Sequence, residues 1–110
     1  MARVRLNTAV ITGWESFHSE CQRALGFPAL YGRNMDAWID CLTYLRDGPE
    51  ANLSGVRLAA GELLELELPD AEALRERLPE VVEALYDCAA FVNRRYVEIG
   101  KPVALALVPV

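Results

Sequence analysis

The sequence contains few of the residues that usually carry out catalysis or bind metals. It has one histidine, His18, and three cysteines among 110 residues. An odd number of widely spaced cysteines fits neither a disulfide framework nor a CxxC metal site, so we expect Cys21, Cys41 and Cys88 to be buried thiols. The dinucleotide-binding GxGxxG pattern, the P-loop pattern, GxSxG and HExxH are all absent. We therefore expect neither a metal nor another cofactor.

Long apolar runs are also missing. The longest run, residues 103–110, has eight residues and contains Pro109, so it is too short to cross a bilayer. Arg3 and Arg5 near the N-terminus could begin a signal sequence, but polar residues interrupt the stretch that follows and leave no apolar signal core. We expect one cytoplasmic domain over residues 1–110 that has no contact with a membrane.

Basic residues are in the minority, and the net charge is −5. This balance argues against nucleic acid as a partner, because binding to phosphates needs a surplus of Lys and Arg. The acids are concentrated in residues 34–90, which hold thirteen acids and four Arg, while residues 1–33 and 91–110 each carry a net charge of +2. An acidic middle segment would attract a cationic partner. The same acids could instead serve only to keep helix faces soluble.

Hydrophobic spacing and turn residues predict strands that alternate with pairs of helices. Residues 47–60 show no periodicity and are expected to form a loop, and residues 62–68 suit a strand or a helix, of which we favour the strand. The order predicts an α/β fold with a three-stranded parallel sheet packed with about four helices. The predicted strands span residues 3–11, 62–68 and 103–110, and the predicted helices span residues 13–25, 34–46, 70–78 and 79–99.

The sequence also predicts the positions of five residues in or next to the first two helices. Thr12 and Glu15 have the spacing of a capping box at the start of the first helix. Trp14 and Trp38 lie on apolar stripes and are expected to be buried. His18 lies at the margin of its stripe, so we expect an ordinary surface or boundary residue rather than a catalytic base.

Asp36 and Asp40 are four residues apart on the second predicted helix, opposite its apolar stripe. They should project from one exposed face, about 5–6 Å apart, and Thr43 extends that face by a turn. Like charges at this spacing cost a few tenths of a kcal/mol. The face could be a solvated surface that tolerates this cost, a two-pronged acceptor for Arg or Lys of a partner, or an acid/base pair. The last interpretation lacks a third catalytic group, so we expect no enzyme.

The residues around these carboxylates resemble the barstar family of ribonuclease inhibitors. The resemblance is carried by residues 27–43, FPALYGRNMDAWIDCLT. It implies a barstar-like fold and a bacterial immunity protein or antitoxin that blocks the active site of a basic, secreted ribonuclease with an acidic surface. It also implies a monomer in the free state. Within the run, the matching residues are Pro28, Tyr31, Gly32, Asn34, Asp36, Ala37, Asp40, Cys41, Leu42 and Thr43.

The resemblance also implies roles for single residues. Asp40 corresponds to the aspartate that enters the phosphate-binding pocket of the ribonuclease, and Asp36 corresponds to an aspartate that meets a second cation at its rim. Gly32 allows the loop backbone to approach the enzyme closely. Both carboxylates must then be exposed and free of the chain's own cations. The whole expected contact set is Leu30, Tyr31, Gly32, Arg33, Asn34, Asp36, Ile39, Asp40, Thr43 and Tyr44.

Five positions depart from the family pattern. Leu30 replaces a tyrosine and Arg33 replaces an acid. Trp38 and Ile39 replace a leucine and a tryptophan, and Arg95 stands near the end of the last helix where the family has a glutamate contact. The segment over residues 47–60 is also longer than its counterpart. These departures favour a ribonuclease other than barnase. The alternative is a binding module of the same fold that recognises another cationic protein without inhibiting it.

Overall fold

A three-stranded parallel sheet lies at the centre of the structure, a computed structural model that describes residues 2–110. Its strands are β1 (Ala2–Arg5), β2 (Leu64–Leu68) and β3 (Leu105–Pro109), in the spatial order β1-β2-β3. Strand β2 alternates buried leucines with half-buried glutamates, so one face of the sheet packs on the core. The segment over residues 62–68 therefore forms a strand, as favoured.

Four helices connect and cover the strands, so the predicted α/β fold is confirmed. Along the chain, helices α1 (Trp14–Leu25) and α2 (Met35–Thr43) connect β1 to β2. Helices α3 (Ala71–Arg77) and α4 (Pro79–Glu98) connect β2 to β3. Helix α2 packs against α4, although the two are far apart in sequence. Within the described residues, no helix has the length and apolar character needed to cross a membrane.

The first strand is shorter than predicted. It ends at Arg5, and a 3₁₀ turn occupies Thr8–Val10. The side chain of Asn7 accepts a hydrogen bond from the amide of Ala9 at 3.2 Å and so starts this turn. The prediction of one strand over residues 3–11 is wrong because Asn7 offers the backbone a local alternative to the sheet.

The capping of α1 also differs from the prediction. Ser16, not Glu15, closes the helix start: its hydroxyl oxygen accepts from the amides of Thr12 and Gly13 at 2.8 and 3.1 Å. At the other end, Gly26 adopts the left-handed conformation that suits a helix end. The prediction of a Thr12–Glu15 capping box is therefore wrong, while the predicted end of the helix at residue 25 is confirmed.

Helix α2 ends three residues earlier than predicted. The hydroxyl of Tyr96 on α4 donates to the carbonyl of Leu42 at 2.9 Å and accepts from the amide of Leu45 at 3.0 Å. These bonds satisfy backbone groups at the helix end. Tyr96 thereby ends α2 and ties it to α4.

The core differs from the sequence expectations at three side chains. Trp38 is fully buried, as predicted, but Trp14 is 40% exposed because it sits on the first turn of α1, at the edge of the core. His18 is only 4% exposed, so its predicted surface or boundary position is wrong. Cys21 and Cys41 are buried, whereas Cys88 is only partly buried. Burial raises the pKa of Cys21 to about 12.

The segment over residues 47–60 closes the C-terminal end of α1. The carbonyl of Leu25 accepts from the hydroxyl of Ser54 at 2.7 Å and from the amide of Gly55 at 2.9 Å. Further along, buried Leu58 donates its amide to the carbonyl of Leu45 at 2.8 Å. The segment therefore fastens α1 to the end of α2 without forming a regular element of its own.

Candidate functional site

Tyr31 anchors the loop that joins α1 to α2, residues 27–34, to the core. The Tyr31 ring is buried, lies 4.8 Å from the Phe27 ring between centroids, and its hydroxyl is 2.6 Å from Nδ1 of His18 on α1. The Tyr31 amide donates to the carbonyl of Pro28 at 2.9 Å, which forms a tight turn. Leu30 projects from this turn and is 95% exposed. An apolar side chain is thus displayed on an ordered loop.

Arg33 ties the far end of the loop to α1. Its backbone has φ of 54°, and its Nη2 atom donates to the carbonyl of Glu15 and to the hydroxyl of Ser19, both at 2.8 Å. The Arg33 charge adds to burial in lowering the pKa of His18. Arg33 therefore positions the loop, in addition to its expected role as a contact with the partner.

Asn34 and Gly32 fix the start of α2. The Asn34 side chain accepts from the amide of Ala37 at 2.8 Å and donates to the carbonyl of Gly32 at 3.3 Å. A Cβ atom on Gly32 would lie 3.3 Å from the Ala37 Cβ, so the glycine permits a close approach of loop and helix. Asn34 is therefore the N-cap of α2, and it places Asp36 in the first turn of the helix.

Asp36 and Asp40 lie one turn apart on α2, and both side chains are exposed, as expected. Asp36 also faces α4: together with burial and Asp87, its charge raises the pKa of Cys88. Within residues 2–110, no ion pair joins Asp36 to a cation of the chain. Its carboxylate meets both conditions that the resemblance requires.

Asp40 meets only one of those conditions. Its Oδ1 atom accepts from Nη1 of Arg95 on α4 at 2.9 Å. The same Nη1 atom donates to the hydroxyl of Thr43 at 3.1 Å, and the guanidinium lies 5.3 Å from the centre of the Phe91 ring. The expectation that Asp40 is free of internal cations is therefore wrong, because packing of α4 on α2 brings Arg95 beside it.

The Asp40–Arg95 ion pair is weak in water. The two side chains are 58% and 38% exposed, and pairs with such exposure stabilise proteins by roughly 0–1 kcal/mol. A partner with several cations in one pocket can therefore take Asp40 from Arg95 at small cost.

Two residues of the expected contact set are almost completely buried. Tyr31 is 5% exposed and Ile39 is 7% exposed, because both point into the core beneath the loop and α2. They support the surface and do not offer side-chain contacts in this conformation. Thr43 is partly buried and donates to the carbonyl of Ile39 at 2.7 Å, and Tyr44 is 41% exposed.

Residues of α4 complete the site, and the sequence did not predict that they pack beside the acids of α2. Cys88, Phe91 and Arg95 follow one another at spacings of 3 and 4, and this row faces the acids of α2. That spacing was the available signal, but it could not show which helix the row faces. The two helices enclose a surface hollow of about 520 Å³ lined by Asp40, Thr43, Tyr44, Arg95, Glu98 and Ile99.

Comparisons with known proteins agree with the resemblance found in residues 27–43. No curated protein matches the chain. A family model described as "Barstar (barnase inhibitor)" matches residues 1–108, which include the loop, α2 and α4. Because this match spans almost the whole sequence, the chain belongs to the barstar family, a family of inhibitors and not of enzymes.

Proposed function

We propose that this protein inhibits a bacterial ribonuclease by placing the loop of residues 27–34 and helix α2 in its active site. The carboxylate of Asp40 takes the position of an RNA phosphate, and Asp36 meets a cation at the rim. The observation that carries the proposal is the exposure of both carboxylates, one turn apart, beside an ordered loop in a member of the barstar family.

Rigidity of the surface supports this function. Tyr31 and Arg33 anchor the loop to α1, and Asn34 fixes the first turn of α2. A surface that is ordered before binding loses less conformational freedom when the complex forms. Leu30 adds an exposed apolar side chain that a pocket on the enzyme can cover.

The acidic charge of this protein indicates a partner of the opposite charge. Residues 34–90 have a surplus of nine acids over cations, so the partner is a basic protein, in our proposal a secreted ribonuclease toxin. The inhibitor acts as a cytoplasmic immunity protein or antitoxin, is a monomer when free, and is one domain over residues 1–110. An acidic surface repels RNA, which is consistent with blocking the enzyme and not binding its substrate.

The test is an RNA cleavage assay with purified protein and a panel of basic bacterial ribonucleases that includes barnase. We expect inhibition of at least one enzyme, and at least about 30-fold weaker inhibition by Asp40→Ala, because a central charge in an interface contributes about 2 kcal/mol or more. The matched control is Glu83→Ala, which removes an exposed acid of α4. Equal effects of the two substitutions would contradict the proposal.

A binding module that recognises another cationic protein without inhibiting a ribonuclease is the second candidate. The observation that favours it is Arg95, which stands where the family has a glutamate contact with the ribonuclease and is paired with Asp40. A pull-down that recovers a stable complex with a cationic protein that has no ribonuclease activity would support this candidate.

A further inference from the structure

Arg95 uses only part of its hydrogen-bonding capacity. Its Nη1 atom donates to Asp40 and Thr43, but Nε and Nη2 donate to no acceptor among residues 2–110. An Nε and Nη2 pair can bind both oxygens of one carboxylate. Contact with the Phe91 ring holds the guanidinium on α4 whether or not Asp40 is paired with it.

Binding of a ribonuclease changes the surroundings of Arg95. Asp40 lies 2.9 Å from Arg95, so a partner that covers Asp40 also covers the guanidinium. The cations that take Asp40 would then lie near a covered Arg95 with unused donors. Charged donors that are covered without a partner are costly, and nearby like charges add to that cost.

On the basis of the proposed function, we infer that Arg95 selects ribonucleases that carry an Asp or Glu beside the cations of their phosphate pocket. The acid of the enzyme binds Nε and Nη2 of Arg95 while the cations of the enzyme bind Asp40. Positive and negative groups then alternate across the interface. The surface hollow between α2 and α4 gives the acidic side chain a place to enter.

Glu98 is a competing source of a carboxylate. It lies three residues beyond Arg95 on α4 and lines the same hollow. If Glu98 turned to Arg95 during binding, the enzyme would need no acid of its own. Replacement of Glu98 separates the two cases, because it removes this carboxylate without changing Arg95.

The experiment measures inhibition of each ribonuclease in the panel by Arg95→Gln and by Glu98→Gln. We expect Arg95→Gln to weaken inhibition of the susceptible enzyme about tenfold, as for a close charge pair, whereas Glu98→Gln leaves it unchanged. Each Asp and Glu near the active site of that enzyme is then replaced by its amide. One such amide variant should lose about as much affinity as Arg95→Gln, and combining the two substitutions should add little further loss.

Three outcomes would overturn the inference. Inhibition could be unchanged or improved by Arg95→Gln, no acid of the enzyme could couple to Arg95, or Glu98→Gln could weaken inhibition as much as Arg95→Gln. Asp40→Ala in the same assay separates the two proposals. If Asp40→Ala weakens inhibition while Arg95→Gln does not, only the role of Arg95 is wrong; if Asp40→Ala has no effect, the proposed function is wrong.

Discussion

Nδ1 of His18 lies 2.6 Å from the hydroxyl oxygen of Tyr31, and this hydrogen bond joins α1 to the loop of residues 27–34. Trp14 stacks on the imidazole with 5.9 Å between ring centroids and 23° between ring planes. The Tyr31 hydroxyl can donate to or accept from Nδ1, according to the tautomer of the imidazole. The loop is therefore anchored through His18, whose lowered pKa favours the neutral ring.

Acidification should destabilise the protein through His18. Burial and, secondly, Arg33 lower the pKa of His18 from its ordinary value of 6.5. The unfolded chain then binds a proton at pH values where the folded chain does not, so the free energy of unfolding falls as the pH drops below 6.5. The slope for one group is at most about 1.4 kcal/mol per pH unit. Urea unfolding between about pH 5 and 8 measures it.

The control for this prediction is His18→Gln, which cannot take up the proton. Its unfolding free energy should be lower than that of the wild type at neutral pH but nearly constant over the same interval. Glu20, whose pKa is lowered chiefly by Arg23, loses its stabilising charge only below its ordinary value of 4.5. A wild-type curve as flat as that of the variant would contradict the assignment to His18.

Gly26→Ala should destabilise the protein by about 2 kcal/mol or more. Gly26 has φ of 66°, which costs about 1–2 kcal/mol for a residue with a side chain. A Cβ atom there would lie 2.9 Å from backbone atoms of Gly55. The matched control is Gly48→Ala, because a Cβ atom on Gly48 meets nothing within 4 Å. Urea unfolding that gives the same loss for both variants would show that the close approach of the two chain segments does not matter.

The elements that sequence patterns predicted correctly depend on short-range signals. Alternation of Leu and Glu in residues 64–68 specifies a strand with one buried face, and Asn34 caps α2 through a bond to an amide three residues away. The family resemblance lies in the same short stretch of loop and helix. Local sequence was therefore sufficient for the fold class and for the position of both carboxylates.

The errors arise where distant parts of the chain meet. His18 is buried because Tyr31, on a separate loop, covers it. Asp40 is paired because α4 brings Arg95 beside it across 55 residues of sequence. Spacing along one helix shows which residues share a face, but not which face another element covers. The same limit explains why Ile39, inside the expected contact set, lies in the core.

Leu30→Ser should weaken inhibition without changing stability. Leu30 is 95% exposed, so folding buries almost none of its side chain, and the free energy of unfolding should change by no more than about 0.5 kcal/mol. Loss of an apolar contact in an interface costs about 1 kcal/mol or more, which is roughly fivefold or more in the inhibition constant. The control is Val110→Ser, an exposed apolar residue outside the loop and α2. An inhibition constant for Leu30→Ser within about twofold of the wild-type value would place Leu30 outside the contact.

Association with the ribonuclease should slow steeply as salt is added. The Debye length falls from about 10 Å at 0.1 M to about 3 Å at 1 M, so salt screens attraction between the acidic surface and a basic enzyme during approach. Dissociation should change less, because it depends mainly on contacts already formed. Stopped-flow rates between about 50 and 500 mM salt test this.

Asp36→Asn should reduce the salt dependence of the association rate more than Glu83→Gln does, since Asp36 is exposed and unpaired within residues 2–110 on the contact surface. An association rate that does not vary with salt would mean that this acidic surface does not attract the enzyme.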